Sequence, residues 1–233
     1  MTVGPDELKR AAARQALDLV EDGMLLGLGS GSTAELFVEL LGERVAAGLH
    51  VTGVPTSRRV ADLAHEHHIP LVADDDLPRL DLTVDGADEI EPRTLGLVKG
   101  RGGALLREKL VATASDRLCI IADDSKLVGS LGEKVPVPVA IVPFGWQRTA
   151  DRIARLGGEP ILRRAGTDPL VSDDGLYIVD CRFGPIAEPG RLSEALKSLL
   201  GVVDHGLFLG LAWRAIVAGA SGVTVLEPGA VRA

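Results

Sequence analysis

The chain has 233 residues, of which 46% are hydrophobic and 25% are charged, and its formal net charge is −8. This length allows a main domain with a smaller second one, and the acidic balance argues against nonspecific binding to nucleic acid or to anionic membranes. The polar N-terminal segment is unlike a signal peptide, and no apolar run reaches membrane-spanning length, so we expect a cytoplasmic protein.

Helical and strand patterns alternate through the first half of the chain. In chain order, helices are predicted from Pro5 to near Gly23 and over 34–41, 57–68 and 103–114, and strands over 24–28, 50–54, 70–73, 80–84 and 118–122. Alternation of this kind predicts an α/β fold with a doubly wound, mainly parallel sheet.

The pattern changes after residue 128. Strands are predicted over 137–142, 160–163 and 176–180 and from 202 onward, with helices over 147–156 and 189–200. The order β-α-β-β-α-β is that of small ferredoxin-like α+β domains. We therefore predict a first domain over 1–128, completed by 205–233 with a strand at 223–226, and a small domain over 129–204.

The first candidate site segment is the run from Gly27 to Thr33 (GLGSGST), between a strand and a helix. It has neither the glycine spacing of a dinucleotide fingerprint nor the lysine of a P-loop. Glycines let a ligand approach the backbone, and N–H groups at a helix N-terminus favour a phosphate. A tight turn with a serine or threonine N-cap has the same pattern, so both interpretations stay open.

Two further segments carry charged residues at predicted strand or helix ends. Asp85-Gly-Ala-Asp-Glu89 follows an apolar strand, and its carboxylates are compatible with a metal site, a solvated acidic turn or hydrogen bonds to sugar hydroxyls. Lys99-Gly-Arg-Gly-Gly103 is a glycine-rich loop that opens a helix, which again suits an anion. Glu108 lies about one and a half turns into that helix, where an ordinary solvated charge is the simpler interpretation.

Taken together, these segments resemble the ribose-5-phosphate isomerase A family. The resemblance also takes in Glu7-Leu-Lys9, Val54-Pro-Thr-Ser57, Arg107-Glu-Lys109, Ala122-Asp-Asp-Ser-Lys126, Gly201-Val-Val and Gly206-Leu-Phe208. It implies a Rossmann-like domain with a smaller α+β domain, and reversible conversion of D-ribose 5-phosphate to D-ribulose 5-phosphate without a metal or organic cofactor. It further implies a homodimer or homotetramer whose partner is a small-molecule sugar phosphate.

The resemblance assigns roles by matching position. Glu108 corresponds to the catalytic base, and Asp85, Asp88 and Lys99 to residues that contact the sugar. The corresponding substrate-binding positions are Lys9, Ser30, Gly31, Ser32, Thr33, Gly86, Ala87, Gly100, Arg101, Gly102 and Lys126. Ser30 stands where many members have threonine, and Arg101 interrupts a loop that is often all glycine.

We hypothesise that Glu108 takes a proton from C2 of the open sugar and returns it to C1, while Lys99 stabilises the enediolate. Asp85 or Asp88 moves a proton between the two oxygens. The rival hypothesis is a non-catalytic sugar-phosphate sensor, but the chain has no spare basic helix-turn-helix segment. A nucleotide-dependent oxidoreductase and a metal site at His65-Glu-His-His68 have less support.

Overall fold

The computed structural model describes residues 4–73 and 76–229. Its helices are α1 (Pro5–Leu17), α2 (Ser32–Ala46), α3 (Arg58–Glu66), α4 (Leu105–Thr113), α5 (Trp146–Ala154) and α6 (Pro189–Lys197). Its strands are β1 (Leu25–Leu28), β2 (Thr52–Pro55), β3 (Leu82–Asp85), β4 (Glu89–Glu91), β5 (Gly96–Val98), β6 (Leu118–Asp123), β7 (Val137–Ile141), β8 (Glu159–Leu162), β9 (Arg164–Ala165), β10 (Asp168–Pro169), β11 (Tyr177–Arg182), β12 (Val202–His205), β13 (Leu207–Phe208), β14 (Ala212–Gly219) and β15 (Gly222–Leu226).

The helix starts follow local sequence signals. Pro5 stands in the first turn of α1, where its missing N–H costs nothing, and Asp6 and Glu7 place negative charge at the positive end of the helix. Ser57 caps α3, because its side chain accepts a hydrogen bond from the Val60 N–H at 3.3 Å. The four helices predicted in the first half of the chain are confirmed, although α1 ends at Leu17 and not near Gly23, and α2 extends to Ala46.

The largest sheet runs in the order β15-β14-β6-β3-β1-β2, and all its pairs are parallel except that of β14 with β15. Strands β3 and β6 are buried along their whole length, as expected for strands covered on both faces. The core on one face joins the sheet to α1, α2 and α3 through side chains such as Leu26, Phe37 and Ile121. The predicted α/β fold with a mainly parallel sheet is confirmed.

A second sheet of four antiparallel strands runs in the order β12-β7-β11-β8, with α5 and α6 in the connections. Numbered along its own segment, this order is 4-1-3-2, which is the ferredoxin-like arrangement that the pattern predicted. Its core includes Val139, Ile153 and Val179, together with Val98 and Leu207 from outside residues 129–204. The exact division into domains stays a prediction.

A small third sheet, β13-β5-β4, lies beside these two and was not predicted. It brings Glu89 into a fully buried position, where its carboxylate accepts hydrogen bonds from the backbone N–H groups of Gly132, Lys134 and Val135. Glu89 thus fastens the chain after Asp88 to the segment that leads into β7.

One predicted strand was wrong, and one strand of the largest sheet was not predicted. Residues 70–73 form no strand; only Leu71 makes an isolated bridge, to Gly53 of β2, so the sheet ends at that strand. Conversely, β14 was not predicted, although it pairs with β6 inside the largest sheet. The strand at 223–226 is confirmed as β15. Within the described ranges, none of the helices has the length and apolarity that crossing a bilayer requires.

Candidate active site

A cavity of about 330 Å³ lies beyond the carboxyl ends of β1 and β3, where ligands bind in sheets of this kind. The segments after β1, β3 and β5 and the N-terminal part of α4 meet there. A larger cavity of about 750 Å³ lies beside β15, but the buried carboxylates and lysine converge on the smaller one. The smaller cavity is lined by Ser30, Gly31, Ser32, Thr33, Gly86, Ala87, Asp88, Lys99, Gly100, Arg101, Gly102, Glu108 and Lys126.

The first glycine-rich loop packs directly on the acidic segment. Asp85 is fully buried, and its Oδ1 accepts hydrogen bonds from the backbone N–H of Ser30 at 3.1 Å and of Gly86 at 2.7 Å. Gly29 makes this approach possible, because a Cβ at that position would overlap both the carboxylate and the Cα of Asp85. Gly29, the second glycine of the predicted phosphate loop, is therefore needed to seat the Asp85 carboxylate.

Lys99 joins two buried carboxylates at the base of the cavity. Its Nζ lies 2.9 Å from Asp85 Oδ2 and 3.2 Å from Glu108 Oε1, and it donates a hydrogen bond of 2.6 Å to the Gly86 carbonyl. The contact with Asp85 is an ion pair without the alignment of a hydrogen bond. Neither Asp85 Oδ2 nor Glu108 Oε2 has a hydrogen-bond partner among the described residues. The side chains of all three residues are at most 6% exposed.

Burial and the attraction between opposite charges together set the pKa values of this cluster. It raises the pKa of Glu108 to about 7, because the attraction of Lys99 offsets only part of the cost of burying a charge and Asp85 adds repulsion. Burial also raises the pKa of Asp85, against the same attraction. Burial alone would lower the pKa of Lys99, but Asp85 and Glu108 together outweigh it and raise that pKa. The cluster therefore holds a permanent cation beside a carboxyl group that exchanges its proton near neutral pH.

Asp88 lies on the same cavity and is held by the second glycine-rich loop. Its Oδ2 accepts a hydrogen bond of 2.9 Å from the backbone N–H of Arg101. Gly100 has a φ of 101°, and a Cβ there would press against Leu105 at the start of α4. The loop can therefore turn sharply between Lys99 and Glu108 only with glycine at this position.

The N-terminus of α2 forms another part of the wall. Gly31 precedes the helix with a φ of 99°, and Ser32 and Thr33 begin it, so backbone N–H groups and the helix dipole meet the cavity. The Ser30 hydroxyl is fixed by the hydroxyls of Thr56 at 2.7 Å and of Ser57 at 2.8 Å. The family resemblance includes Thr56 and Ser57, but it assigned neither residue a role.

The structure brings together every residue predicted for the site except Lys9. Asp85 lies beneath the cavity, in contact with Lys99. Lys9 stands on α1, where its Nζ lies 3.3 Å from Asp6, and it does not line the cavity. Of the three carboxylates in the acidic segment, only Asp85 and Asp88 belong to the site, because Glu89 binds backbone N–H groups elsewhere. The described residues contain no group of three or more His, Cys, Asp or Glu side chains suited to a metal ion.

Comparison with known proteins gives a consistent result. The family model described as ribose 5-phosphate isomerase A (phosphoriboisomerase A) matches residues 52–222. The ribose-5-phosphate isomerase A of Thermomicrobium roseum is 54% identical over 226 residues, covering 97% of this chain and 95% of that protein. That of Gloeobacter violaceus is 53% identical over 225 residues, covering 97% and 98%.

Solved structures show the same similarity in three dimensions. Ribose 5-phosphate isomerase A from Methanocaldococcus jannaschii superimposes with a TM-score of 0.90 at 37% identity, over 95% of this chain and 99% of that one. A D-ribose-5-phosphate isomerase in complex with phospho-erythronic acid gives a TM-score of 0.92 at 37% identity, over 96% and 99%.

Proposed function

The chain belongs to the ribose 5-phosphate isomerase A family, a family of isomerases, and on this basis we propose that it interconverts D-ribose 5-phosphate and D-ribulose 5-phosphate through an enediol intermediate. The observation that carries the mechanism is the buried cluster of Glu108, Lys99 and Asp85 at the cavity. A cytoplasmic location and assembly into homodimers or homotetramers stay predictions.

Glu108 is the proposed general base. Its pKa of about 7 makes it a stronger base than an ordinary carboxylate, and its Oε2 accepts no hydrogen bond from the described residues. In the open-chain aldose, Glu108 takes the C2 proton while the C1 carbonyl oxygen gains a proton. Loss of the proton from the C2 hydroxyl and return of the first proton to C1 then give the ketose.

Lys99 is the proposed electrophile for the developing enediolate. Its ammonium stays protonated because two carboxylates raise its pKa, so it offers positive charge without having to be recharged in each cycle. Asp88, which lines the cavity, and Asp85, which lies beneath it, are the candidates for moving a proton between O1 and O2.

The phosphate group is proposed to bind at the N-terminus of α2, with Ser32, Thr33 and Lys126 around it. It lies remote from the reacting carbons, so its binding energy serves to hold C1 and C2 beside Glu108. Lys9, the remaining predicted position, lies on α1 and does not line this cavity, so its contact with the substrate stays a prediction.

The proposed function is tested by measuring ribulose 5-phosphate formed from ribose 5-phosphate by the purified protein, with and without EDTA. We expect turnover that EDTA leaves unchanged. A protein that ribose 5-phosphate stabilises against heat but that forms no product would instead be a sugar-phosphate sensor. Turnover abolished by EDTA would contradict the metal-independent mechanism and direct attention to Asp85 and Asp88.

The pH dependence of kcat/KM follows from the pKa of Glu108. Because the base must be ionised, kcat/KM is expected to rise with pH, with a one-proton midpoint at about 7, and then to level off. The measurement is a set of initial rates between about pH 5 and pH 9 under the same ionic strength. A profile that is flat down to the ordinary pKa of a glutamate would contradict the assignment.

Removal of the Lys126 ammonium tests the phosphate site. Lys126→Ala is expected to lower kcat/KM for ribose 5-phosphate by about tenfold or more, since one charge-assisted hydrogen bond is lost, and to leave the slow turnover of free ribose nearly unchanged. The two sugars assayed on the same variant are each other's control. Equal losses on both would place the effect at the reacting carbons and not at the phosphate.

A further inference from the structure

An arginine of the four-stranded sheet reaches the second glycine-rich loop of the candidate site. Arg163 follows β8 directly, and its side chain is only 14% exposed. Its guanidinium binds both oxygens of Asp180 on β11, with the Nε contact at 2.9 Å. Its Nη1 donates to the backbone carbonyls of Gly100 at 3.0 Å and of Arg101 at 2.8 Å.

These contacts fix the orientation of the loop peptides. In a trans peptide the C=O and N–H groups point in opposite directions. The peptide between Gly100 and Arg101 gives its carbonyl to Arg163 and its N–H to Asp88 Oδ2, at 2.9 Å. The next peptide also gives its carbonyl to Arg163, so the N–H of Gly102 is directed away from the guanidinium, and Gly102 lines the cavity.

We propose that Arg163, held by Asp180, is a positioning residue that sets the direction of the Asp88 carboxylate through the peptide between Gly100 and Arg101. This proposal rests on the proposed function, because it concerns a carboxylate of that site. Arg163 does not line the candidate-site cavity, and its hydrogen bonds to the loop are to backbone carbonyls. It also lines a neighbouring cavity of about 540 Å³ together with Asp88.

The chemistry of the contact requires arginine. One guanidinium can meet a carboxylate with two parallel hydrogen bonds and still have an N–H group for two adjacent carbonyls, whereas a lysine ammonium is a point charge on a flexible stem. Pairing with Asp180 also keeps the buried guanidinium neutralised, so that the loop receives orientation without a net positive charge behind Asp88.

The test is a double-mutant cycle in the isomerase assay with Arg163→Ala, Asp88→Asn and the double variant. Arg163→Ala is expected to lower kcat/KM by about ten- to a hundredfold, the usual cost of misplacing a reacting group by a fraction of an ångström to an ångström. In the Asp88→Asn background the same change is expected to cost less than about threefold, because the residue on which it acts is already disabled. Equal losses in both backgrounds, or near-normal activity of Arg163→Ala, would overturn the proposal.

Arg164→Ala is the matched control. It removes the same charge from the next residue, whose guanidinium donates to the Thr167 carbonyl within its own hairpin, so its activity is expected to stay near that of the unaltered chain. If Arg163→Ala does not fold, Arg163→Lys replaces it in the cycle; it keeps the charge, and we expect it to stay impaired. Rescue of activity by lysine would mean that charge alone suffices, which contradicts the proposal.

A readout without catalysis separates this proposal from the proposed function. Amide hydrogen exchange at Arg101 and Gly103, whose N–H groups bind Asp88 and the Gly100 carbonyl, is expected to be faster in Arg163→Ala and unchanged in Arg164→Ala. If the unaltered chain has no isomerase activity but this difference is found, the proposed function is wrong, while the proposal that Arg163 fixes the loop is supported. Unchanged exchange in Arg163→Ala would overturn the proposal that Arg163 fixes the loop.

Discussion

Replacing Glu108 with glutamine is expected to reduce kcat for ribose 5-phosphate by about 10²–10⁴-fold, the range that a positioned general base contributes. Glutamine keeps the shape of the side chain and its contact with Lys99 Nζ, now through an amide oxygen, but it cannot accept the C2 proton. Binding of the sugar phosphate should survive, because Ser32, Thr33 and Lys126 are unaltered. The measurement is initial rate against substrate concentration, with binding followed separately by calorimetry.

The same variant has a predicted signature in stability. The raised pKa of Glu108 means that the folded state keeps a proton that the unfolded chain releases, in the window between the ordinary value of 4.5 and about 7. The unaltered chain therefore loses stability as the pH rises through that window, and Glu108→Gln should lack this part of the loss. Urea unfolding at both ends of the window, at fixed protein concentration, measures the difference.

Glu43→Gln is the matched control for both measurements, because it makes the same chemical change at an exposed position of α2. We expect it to leave kcat and the pH dependence of unfolding unaltered. If Glu108→Gln kept most of its turnover, or if both variants lost activity alike, Glu108 would not be the base.

Replacing Lys99 with methionine is expected to abolish activity and to destabilise the fold by about 3–5 kcal/mol, the usual cost of breaking a buried ion pair. The methionine leaves Asp85 and Glu108 buried together without their cation, and both carboxylates then resist ionisation. Since their pKa values rise further in the variant, its instability should grow as the pH increases and shrink in acid. Unfolding by urea at several pH values, beside the isomerase assay, tests both parts.

The double variant Lys99→Met with Asp85→Asn separates charge balance from catalysis. It removes one cation and one carboxylate, so most of the lost stability should return while activity stays absent. Lys197→Met serves as the control, because Lys197 also pairs with a carboxylate but is half-exposed, and its loss should cost about 1 kcal/mol or less. A stable but inactive Lys99→Met would indicate that the two carboxylates are not charged in the folded protein.

The sequence pattern predicted those parts of the fold that depend on local signals. The GLGSGST run joins β1 to α2, and the acidic segment begins at the end of β3, as predicted. Both positions could be predicted because a short apolar run followed by glycine or a helix cap is a signal contained within a few residues. The ferredoxin-like order of the second sheet was predicted for the same reason.

The missed parts depend on partners that are distant in sequence. Strand β4 contains Glu89, and a charged residue does not predict a buried strand. Glu89 can be buried only because Gly132 and its neighbours, more than forty residues later, supply N–H groups to its carboxylate. Strand β14 contains Trp213 and Arg214, and it is stabilised by pairing with β6, nearly a hundred residues earlier. For the site, the pattern alone left open a metal, a solvated turn or a sugar; the individual roles came from the family resemblance and stay proposals until tested.

The place of β14 in the largest sheet has a consequence for biosynthesis. Asp85, Lys99 and Glu108 are all translated before residue 110, and β6 follows at once, but the strand that covers the outer edge of β6 begins only at Ala212. In a nascent chain that has emerged only as far as β12, strand β6, whose residues are all buried in the folded protein, therefore has one edge unpaired. Unpaired apolar edges recruit other strands, so the ribosome-bound chain is exposed to aggregation in the interval after the residues of the candidate site have been translated and before β14 has emerged.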